Sequence, residues 1–164
     1  MIMKLTAQGI KKDFPRASKS SNYFTAVQPM DFELTSGQMI EVTGRSGSGK
    51  STLLNMLAGM LTPTAGKVLL DDTDLYALDE KALSRLRNEK IGLIPQGHTA
   101  LLSLTVLENV LAPSIAKADP DAEGRARGLL DRFNLSDRLR HVPSELSTGE
   151  RQRTALARAL LNRP

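Results

Sequence analysis

A glycine-rich motif flanked by a strand pattern and a helix pattern constrains the fold of this chain most. Residues 44–52 read GRSGSGKST and fit the pattern G-x-x-x-x-G-K-[ST]. Apolar strand-type residues precede the motif at 40–43, and apolar residues at helical spacing follow it. This order predicts a P-loop that binds phosphate groups. The candidate nucleotide-binding residues are Gly44, Arg45, Ser46, Gly47, Ser48, Gly49, Lys50, Ser51 and Thr52.

The residue types of the motif suit a nucleotide. Glycines let the backbone form a concave ring of N–H donors, and the helix that follows directs the positive end of its dipole at the phosphates. Lys50 is expected to reach the β- and γ-phosphates, and the Ser51 hydroxyl is expected to ligate Mg²⁺. GTPases, kinases, helicases and transport ATPases share this loop, but a guanine-specific N-K-x-D stretch is absent from the sequence. A serine- and glycine-rich turn without a ligand is the alternative.

Composition narrows the class of protein. The 164 residues are 40% hydrophobic and contain no cysteine, which predicts one soluble globular unit without disulfides or thiolate metal sites. No apolar run of about 18 residues occurs, and the N-terminus lacks a secretory signal pattern, so a cytoplasmic location is expected. The 22 basic and 18 acidic residues give a net charge of +4. Solvated helix faces account for the arginines, and without interleaved aromatics nucleic-acid binding is not expected.

The predicted order of strands and helices changes near residue 44. Before it, strand patterns separated by turns indicate a mostly antiparallel sheet at 3–7, 23–27, 30–34 and 39–43, with an exposed loop at 15–22. After it, helices at 50–58 and 79–89 alternate with strands at 67–70 and 91–95, which favours an α/β sheet.

From residue 104 onward the pattern is helical. Thr105 and Glu108 are spaced as a capping box at the start of the first helix. A second helix is expected after Asp119, with Asp119 as its cap and Pro120 at its first position. A third is predicted over 148–162. The expected buried residues of the second helix are Ala126, Leu129, Leu130 and Phe133.

Two further motifs accompany the P-loop. Gln96 ends a strand pattern, and a short polar motif at 146–150 opens the last helix. Together the three motifs resemble those of the ATP-binding-cassette (ABC) transporter ATPases, over nearly the whole chain. The stretches LLNMLAGMLTPTAG, RLRNEKIGLIPQ and LTVLENVLAP are most similar to the subfamily of lipoprotein-releasing, macrolide-efflux and cell-division ATPases.

The resemblance implies an α/β fold, the P-loop NTPase fold of ABC type, in a single nucleotide-binding domain over 1–164. It would comprise an antiparallel β-subdomain at 1–43, a P-loop core with a partial parallel sheet and the glutamine loop at 44–103, and a helical subdomain with the signature helix at 104–164. ATP and Mg²⁺ are the implied ligands.

The resemblance also assigns roles to residues outside the P-loop. Gln96 would contact Mg²⁺ and the attacking water and would link the site to a membrane subunit. Phe14 would stack on adenine, although it could instead be a core aromatic, with Tyr23 or Phe24 in its place.

The signature motif would bind, in trans, the γ-phosphate held by a second subunit arranged head to tail. Its residues are Leu146, Ser147, Thr148, Gly149 and Glu150. Ser147 and Glu150 are also spaced as a capping box, and both interpretations can hold together. Thr148 stands where the family has glycine, and Glu150 where it commonly has glutamine.

The family continues past the signature helix into the Walker B strand, a catalytic glutamate and a switch histidine. Neither His98 nor His141 stands in the position of that switch, and no residue here matches the general base. The chain is therefore expected to bind ATP without hydrolysing it. It is also expected to be a truncated gene product, a fragment or an incomplete sequence of a protein of more than about 200 residues, incomplete at its C-terminus. Parallel strands without neighbours would leave apolar faces uncovered.

The function predicted from the resemblance is that of an ATP-binding subunit coupling ATP binding and hydrolysis to transport by an integral membrane subunit. It would lie on the cytoplasmic face of the inner or plasma membrane, and the membrane subunit would dock at 96–103 and the helices beyond. The alternatives are a nucleotide-binding module without catalysis and a cytosolic ABC ATPase outside transport.

Overall fold

The computed structural model describes residues 3–16, 22–97, 100–116 and 119–164. The chain divides into two compact units, Met1–Ser84 and Arg85–Pro164. We refer to them as the first and the second unit. The predicted loop at 15–22 falls largely outside the described residues.

The first unit is built on one sheet. In the described part of the chain its four strands pair in the order β2-β1-β3-β4, and every pairing is antiparallel. Ala7 of the first strand lies opposite Val68 of the third, and both are buried. The strands are β1 Lys4–Pro15, β2 Tyr23–Thr35, β3 Ala65–Leu70 and β4 Thr73–Asp74.

An irregularity in β1 lets the strand bury two residues that simple alternation would place on opposite faces. Ala7 and Ile10 are both buried although they are three positions apart, and the pairing register shifts between them. Gly9 lies inside this shift with φ 57°. A bulge of this kind adds a residue to one strand and returns the next side chain to the core face.

The first helix of the unit packs by a short apolar stripe. In α1, Lys50–Leu57, the side chains of Leu53, Met56 and Leu57 are buried. The Tyr76 hydroxyl lies 2.7 Å from the carbonyl oxygens of Met56 and Leu61, and so ties the end of α1 to the chain after β4. A 3-10 turn, Leu75–Ala77, leads toward α2, Glu80–Lys90, which spans the boundary between the units.

The second unit is a small helical bundle. Its helices are α3 Val106–Leu111, α4 Ala122–Arg132 and α5 Thr148–Leu160. Short 3-10 turns connect them at Ala112–Ala116, Ser136–Arg138 and Pro143–Glu145. Its apolar core consists of Val106, Val110, Ala126, Leu130, Leu135, Leu146, Ala157 and Leu161.

One fully buried side chain in this bundle is polar. Asn109 of α3 accepts a hydrogen bond from the Leu101 N–H at 2.7 Å. Its amide nitrogen donates to the carbonyl oxygens of Leu101, Leu104 and Thr105 at 2.9–3.0 Å. The buried side chain therefore has partners for both its oxygen and its nitrogen, and it ties the turn before α3 to the helix.

Several sequence predictions are confirmed. The helices at 50–58 and 79–89, the strand at 67–70 and the Thr105/Glu108 capping box all form. The predicted strands at 23–27 and 30–34 are one continuous strand, β2, because Pro29 falls in a register shift where the ladder needs no N–H donor.

Two strand predictions are wrong, and with them the partial parallel core sheet. Residues 39–43 and 91–95 form no strand. A strand requires a neighbour for its N–H and C=O groups, and neither segment pairs with one in the described chain. The apolar residues of these segments are accordingly uncovered, as expected: Met39 is 97% exposed and Ile94 47%.

The predicted start of α4 is also wrong. The helix begins at Ala122 rather than directly after Asp119. The Asp119 carboxylate accepts from the Asp121 N–H at 3.0 Å and pairs with the Arg125 guanidinium at 2.5 Å. Because its oxygens are engaged in this way, Asp119 forms a turn leading into the helix instead of its cap.

We predict that Asn109→Ala lowers the free energy of unfolding of the second unit by about 1–3 kcal/mol, because it removes the buried amide that bonds the Leu101 N–H and the Leu104 carbonyl. Urea unfolding followed by circular dichroism measures this. The matched control is Ser103→Ala, an exposed position in the same turn. Equal stability of Asn109→Ala and wild type would contradict the role of Asn109.

Candidate functional site

The lysine of the predicted P-loop is hydrogen-bonded to the backbone of the loop itself. The Lys50 ammonium donates to the carbonyl oxygens of Gly44 at 2.8 Å and Arg45 at 2.7 Å. The Ser48 N–H donates to the Arg45 carbonyl at 3.2 Å, which tightens the turn inside the loop. The loop therefore curves around one cation. Residues 44–48 are exposed, so an anion can approach from solvent and bind this ammonium and the backbone N–H groups.

Glycine is required where the loop enters α1. Gly49 has φ 89°, and a Cβ there would lie 2.2 Å from the Ala26 carbonyl oxygen of β2. Gly44 is confined in a similar way, since its Cβ would lie 2.7 Å from the Ser48 hydroxyl oxygen. The loop backbone thus lies directly against the β1–β2 hairpin, and a side chain at position 49 would push it away.

The start of α1 suits an anion with a bound cation. No acidic residue occupies the first turn, so nothing opposes the positive end of the helix dipole. Ser51 is exposed in this turn. No three His, Cys, Asp or Glu side chains come together among the described residues. The Ser51 hydroxyl is an oxygen donor, the ligand type that Mg²⁺ takes together with phosphate oxygens.

The three candidate adenine-binding aromatics lie at one end of the hairpin. Phe14 of β1 pairs with Phe24 of β2, and Tyr23 follows at the next position of the ladder. Phe14 is half-buried, with the Lys12 ammonium 5.4 Å from its ring centroid. Ala26, which touches the P-loop, is two residues from Phe24, or roughly 7 Å along the strand. The aromatic end of the hairpin and the P-loop are therefore close neighbours.

The glutamine predicted to end a strand lines the same cavity as the signature motif, within the second unit. Gln96 is exposed and lines a cavity of about 660 Å³ together with the first turns of α5. Thr148 and Gly149 of the signature motif also line this cavity. The P-loop is part of the first unit, and Gln96 and the signature motif are part of the second.

A capping box fixes the start of α5, as predicted. The Ser147 hydroxyl oxygen accepts from the Glu150 N–H at 3.2 Å, and a Glu150 carboxylate oxygen accepts from the Ser147 N–H at 2.8 Å. The Arg151 guanidinium donates to the Leu146 carbonyl at 2.6 Å and holds the preceding turn. The signature residues 146–150 are therefore rigidly placed at the helix start.

Sequence reasoning missed a partner of this motif. Arg138 donates from Nε to the Glu150 carboxylate at 2.9 Å. The Ser147 N–H contributes most to holding the pKa of the Glu150 carboxyl at about 2, below its usual value of 4.5, followed by the Ser147 hydroxyl and the Arg138 guanidinium. The unusual glutamate at position 150 was the signal that could have prompted a search for a nearby cation.

The remaining predictions concern the histidines and the membrane. His141 is half-buried, and its carbonyl accepts from the Val106 N–H at 2.8 Å, so its backbone supports the bundle. His98 lies outside the described residues. None of the helices in the described ranges has the length and apolar character needed to cross a bilayer.

Comparison with known proteins points to one family. Residues 27–164 match the family described as ABC transporter. The lipoprotein-releasing system ATP-binding protein LolD of Pseudomonas syringae pv. tomato is 45% identical over 162 residues, which cover 98% of this chain and 70% of that protein. LolD of Hydrogenovibrio crunogenus is 47% identical over 140 residues, covering 84% of this chain and 61% of that protein.

Solved structures agree with these sequence matches. The dimeric structure of MJ0796, a bacterial ABC transporter cassette, superposes with a TM-score of 0.89 at 32% identity. The superposition covers 98% of this chain and 70% of that one. A dimeric post-hydrolysis state of the same cassette, bound to ADP and Pi, superposes with a TM-score of 0.88.

We predict that the stability contributed by Glu150 depends on acid pH. Its pKa is lowered by folding, so the contribution is complete above about 4.5 and is lost as the pH falls toward 2. Wild type should be more stable than Glu150→Gln at pH 7, and the difference should shrink at pH 3, as measured by urea unfolding. Other acidic groups are common to both proteins and cancel. A difference that is the same at both pH values would contradict the prediction.

Proposed function

This chain belongs to the ABC transporter family, and we propose that it forms the ATP-binding part of a transporter whose membrane-spanning subunit is a separate polypeptide. The observation that carries the proposal is the P-loop. Its lysine closes the loop, Gly49 lies against β2, and the start of α1 carries no acidic residue. This arrangement can bind the phosphates of a nucleotide.

We assign the parts of the nucleotide to elements of the first unit. The triphosphate would lie on the backbone N–H groups of residues 44–52, with the Lys50 ammonium at its β- and γ-phosphates. Adenine would stack on Phe14 at the end of the hairpin. Magnesium, when bound through Ser51, would neutralise phosphate charge.

The second unit would bind the two partners, a second cassette and the membrane subunit. The start of α5 would receive the γ-phosphate bound by a second cassette, in a head-to-tail dimer. Two MJ0796 structures are dimeric, which supports this arrangement. The membrane subunit would dock at 96–103, where Leu102 is 73% exposed in the turn that Asn109 holds. Such a subunit would keep this ATPase at the cytoplasmic face of the membrane.

A finer proposal concerns the cargo and the reaction. LolD proteins are named as parts of a lipoprotein-releasing system, and identities of 45% and 47% support a role of the same kind for this chain. For the 164 residues themselves we propose nucleotide binding without turnover, since none of them matches the family's general base.

We predict that Mg²⁺–ATP raises the melting temperature of the chain and that Lys50→Ala abolishes this shift. A ligand that binds only the folded state adds about 2.7 kcal/mol at a hundredfold excess over its dissociation constant. Thermal unfolding with and without Mg²⁺–ATP measures the effect, and a phosphate-release assay on the same samples should give no signal. Lys67→Ala, an exposed lysine in β3, is the matched control and should respond like wild type. An unchanged shift in Lys50→Ala would refute the P-loop assignment.

We predict that Phe14→Ala weakens ATP binding but not tripolyphosphate binding, because only ATP has a base to stack. Stacking on an aromatic side chain contributes about 1–3 kcal/mol per base. Titration calorimetry of both ligands measures the difference. Tyr23→Ala and Phe24→Ala are the comparison variants, and a selective loss of ATP binding in one of them would transfer the adenine site to that residue.

A further inference from the structure

The start of α5 carries a charge that opposes its proposed use. Glu150 lies in the first turn of the helix, and its side chain is only 17% exposed. A carboxylate there favours the helix dipole, but it also repels any second anion that approaches the same turn. The backbone N–H groups of Thr148 and Gly149 stand in this turn and, by helix geometry, have no acceptor within the helix.

Arg138 is placed to cancel that charge. Its Nε lies 2.9 Å from a Glu150 carboxylate oxygen, and it comes from the separate turn Ser136–Arg138. The backbone of this turn is fixed, because the Arg138 N–H donates to the carbonyl of the fully buried Leu135 at 2.9 Å. The guanidinium therefore reaches Glu150 from an anchored position rather than from a free surface.

We propose that Arg138 neutralises Glu150 and thereby allows the start of α5 to accept a phosphate of ATP bound by a second copy of this chain. The inference rests on the proposed function, in which the signature motif acts in trans. Arg138 is a positioning residue, since it acts through Glu150 and not on the nucleotide. One oxygen of Glu150 accepts from Arg138 and the other from the Ser147 N–H. These two hydrogen bonds hold the carboxylate in the orientation that the capping box requires.

The alternative is that the pair only fastens the turn to the helix. Arg138 has a side chain 41% exposed, and ion pairs at such exposure contribute little to folding stability. The two roles therefore predict different results. A fastening role would be lost when either partner is changed, whereas charge compensation is needed only while Glu150 is charged.

The test uses the 164-residue chain with Arg138→Gln, Glu150→Gln and the double variant. Glutamine at position 150 retains the capping box, so the fold at the helix start is kept. Nucleotide binding is measured on dilute protein by titration calorimetry with Mg²⁺–ATP, and self-association is measured by sedimentation velocity with the same ligand. Arg140→Gln, an exposed arginine next to the turn, is the matched control.

We expect all variants to bind Mg²⁺–ATP like wild type. Arg138→Gln should weaken ATP-dependent association roughly tenfold, the order expected for one unit charge a few ångströms away when water screens most of the interaction. Glu150→Gln should associate at least as well as wild type, and the double variant should recover. The defect of Arg138→Gln should shrink as salt rises from low to high ionic strength, because screening weakens the repulsion.

Three results would overturn the inference: an unchanged association of Arg138→Gln, a double variant as defective as Arg138→Gln, or a wild-type chain that binds ATP without associating. A wild-type chain that fails to bind Mg²⁺–ATP at all would instead remove the proposed function, and the inference with it. The two failures are thus distinguished by the calorimetric titration.

Discussion

The contact between Gly49 and β2 is the constraint on which the candidate nucleotide site depends. With no room for a Cβ against the Ala26 carbonyl, the loop backbone lies directly on the hairpin, and α1 starts at a fixed point. From that start the helix buries Leu53 and Met56, and Lys50 reaches back to close the loop. The same strand carries Phe24 a short distance away. A single close backbone contact therefore fixes the positions of the phosphate loop, the start of α1 and the aromatic end of the hairpin relative to one another.

The second unit positions its functional residues through helix starts instead. Asn109 holds the turn before α3, and the Ser147/Glu150 capping box holds the signature motif before α5. Asn109 bonds backbone groups of the turn before its helix, and the Ser147 and Glu150 side chains each accept from a backbone N–H at the start of α5. Arg138 adds an electrostatic function to this capping box. The unit thus presents two fixed polar turns, which we propose as the docking point of a membrane partner and as the binding point of a phosphate held by another copy.

Local signals in the sequence predicted local structure well, and the failures involve partners that the local pattern does not include. Both capping boxes depend on residues only three positions apart, so their patterns are complete in the sequence. The strands predicted at 39–43 and 91–95 need neighbours to pair with, which apolar composition alone does not provide. Asp119 does not cap α4 as predicted, because its carboxylate forms an ion pair with Arg125. The Arg138–Glu150 pair likewise depends on how two segments pack, which periodicity does not encode.

Hydrogen–deuterium exchange of the chain with and without Mg²⁺–ATP tests most directly where the nucleotide binds. The account predicts slower exchange in peptides that contain residues 44–52, because their backbone N–H groups would donate to phosphates. Peptides around Phe14 should be protected by ATP and not by tripolyphosphate. Unchanged exchange at 44–52 in the presence of saturating ligand, or protection confined to other segments, would contradict the assignment of the P-loop as the nucleotide site.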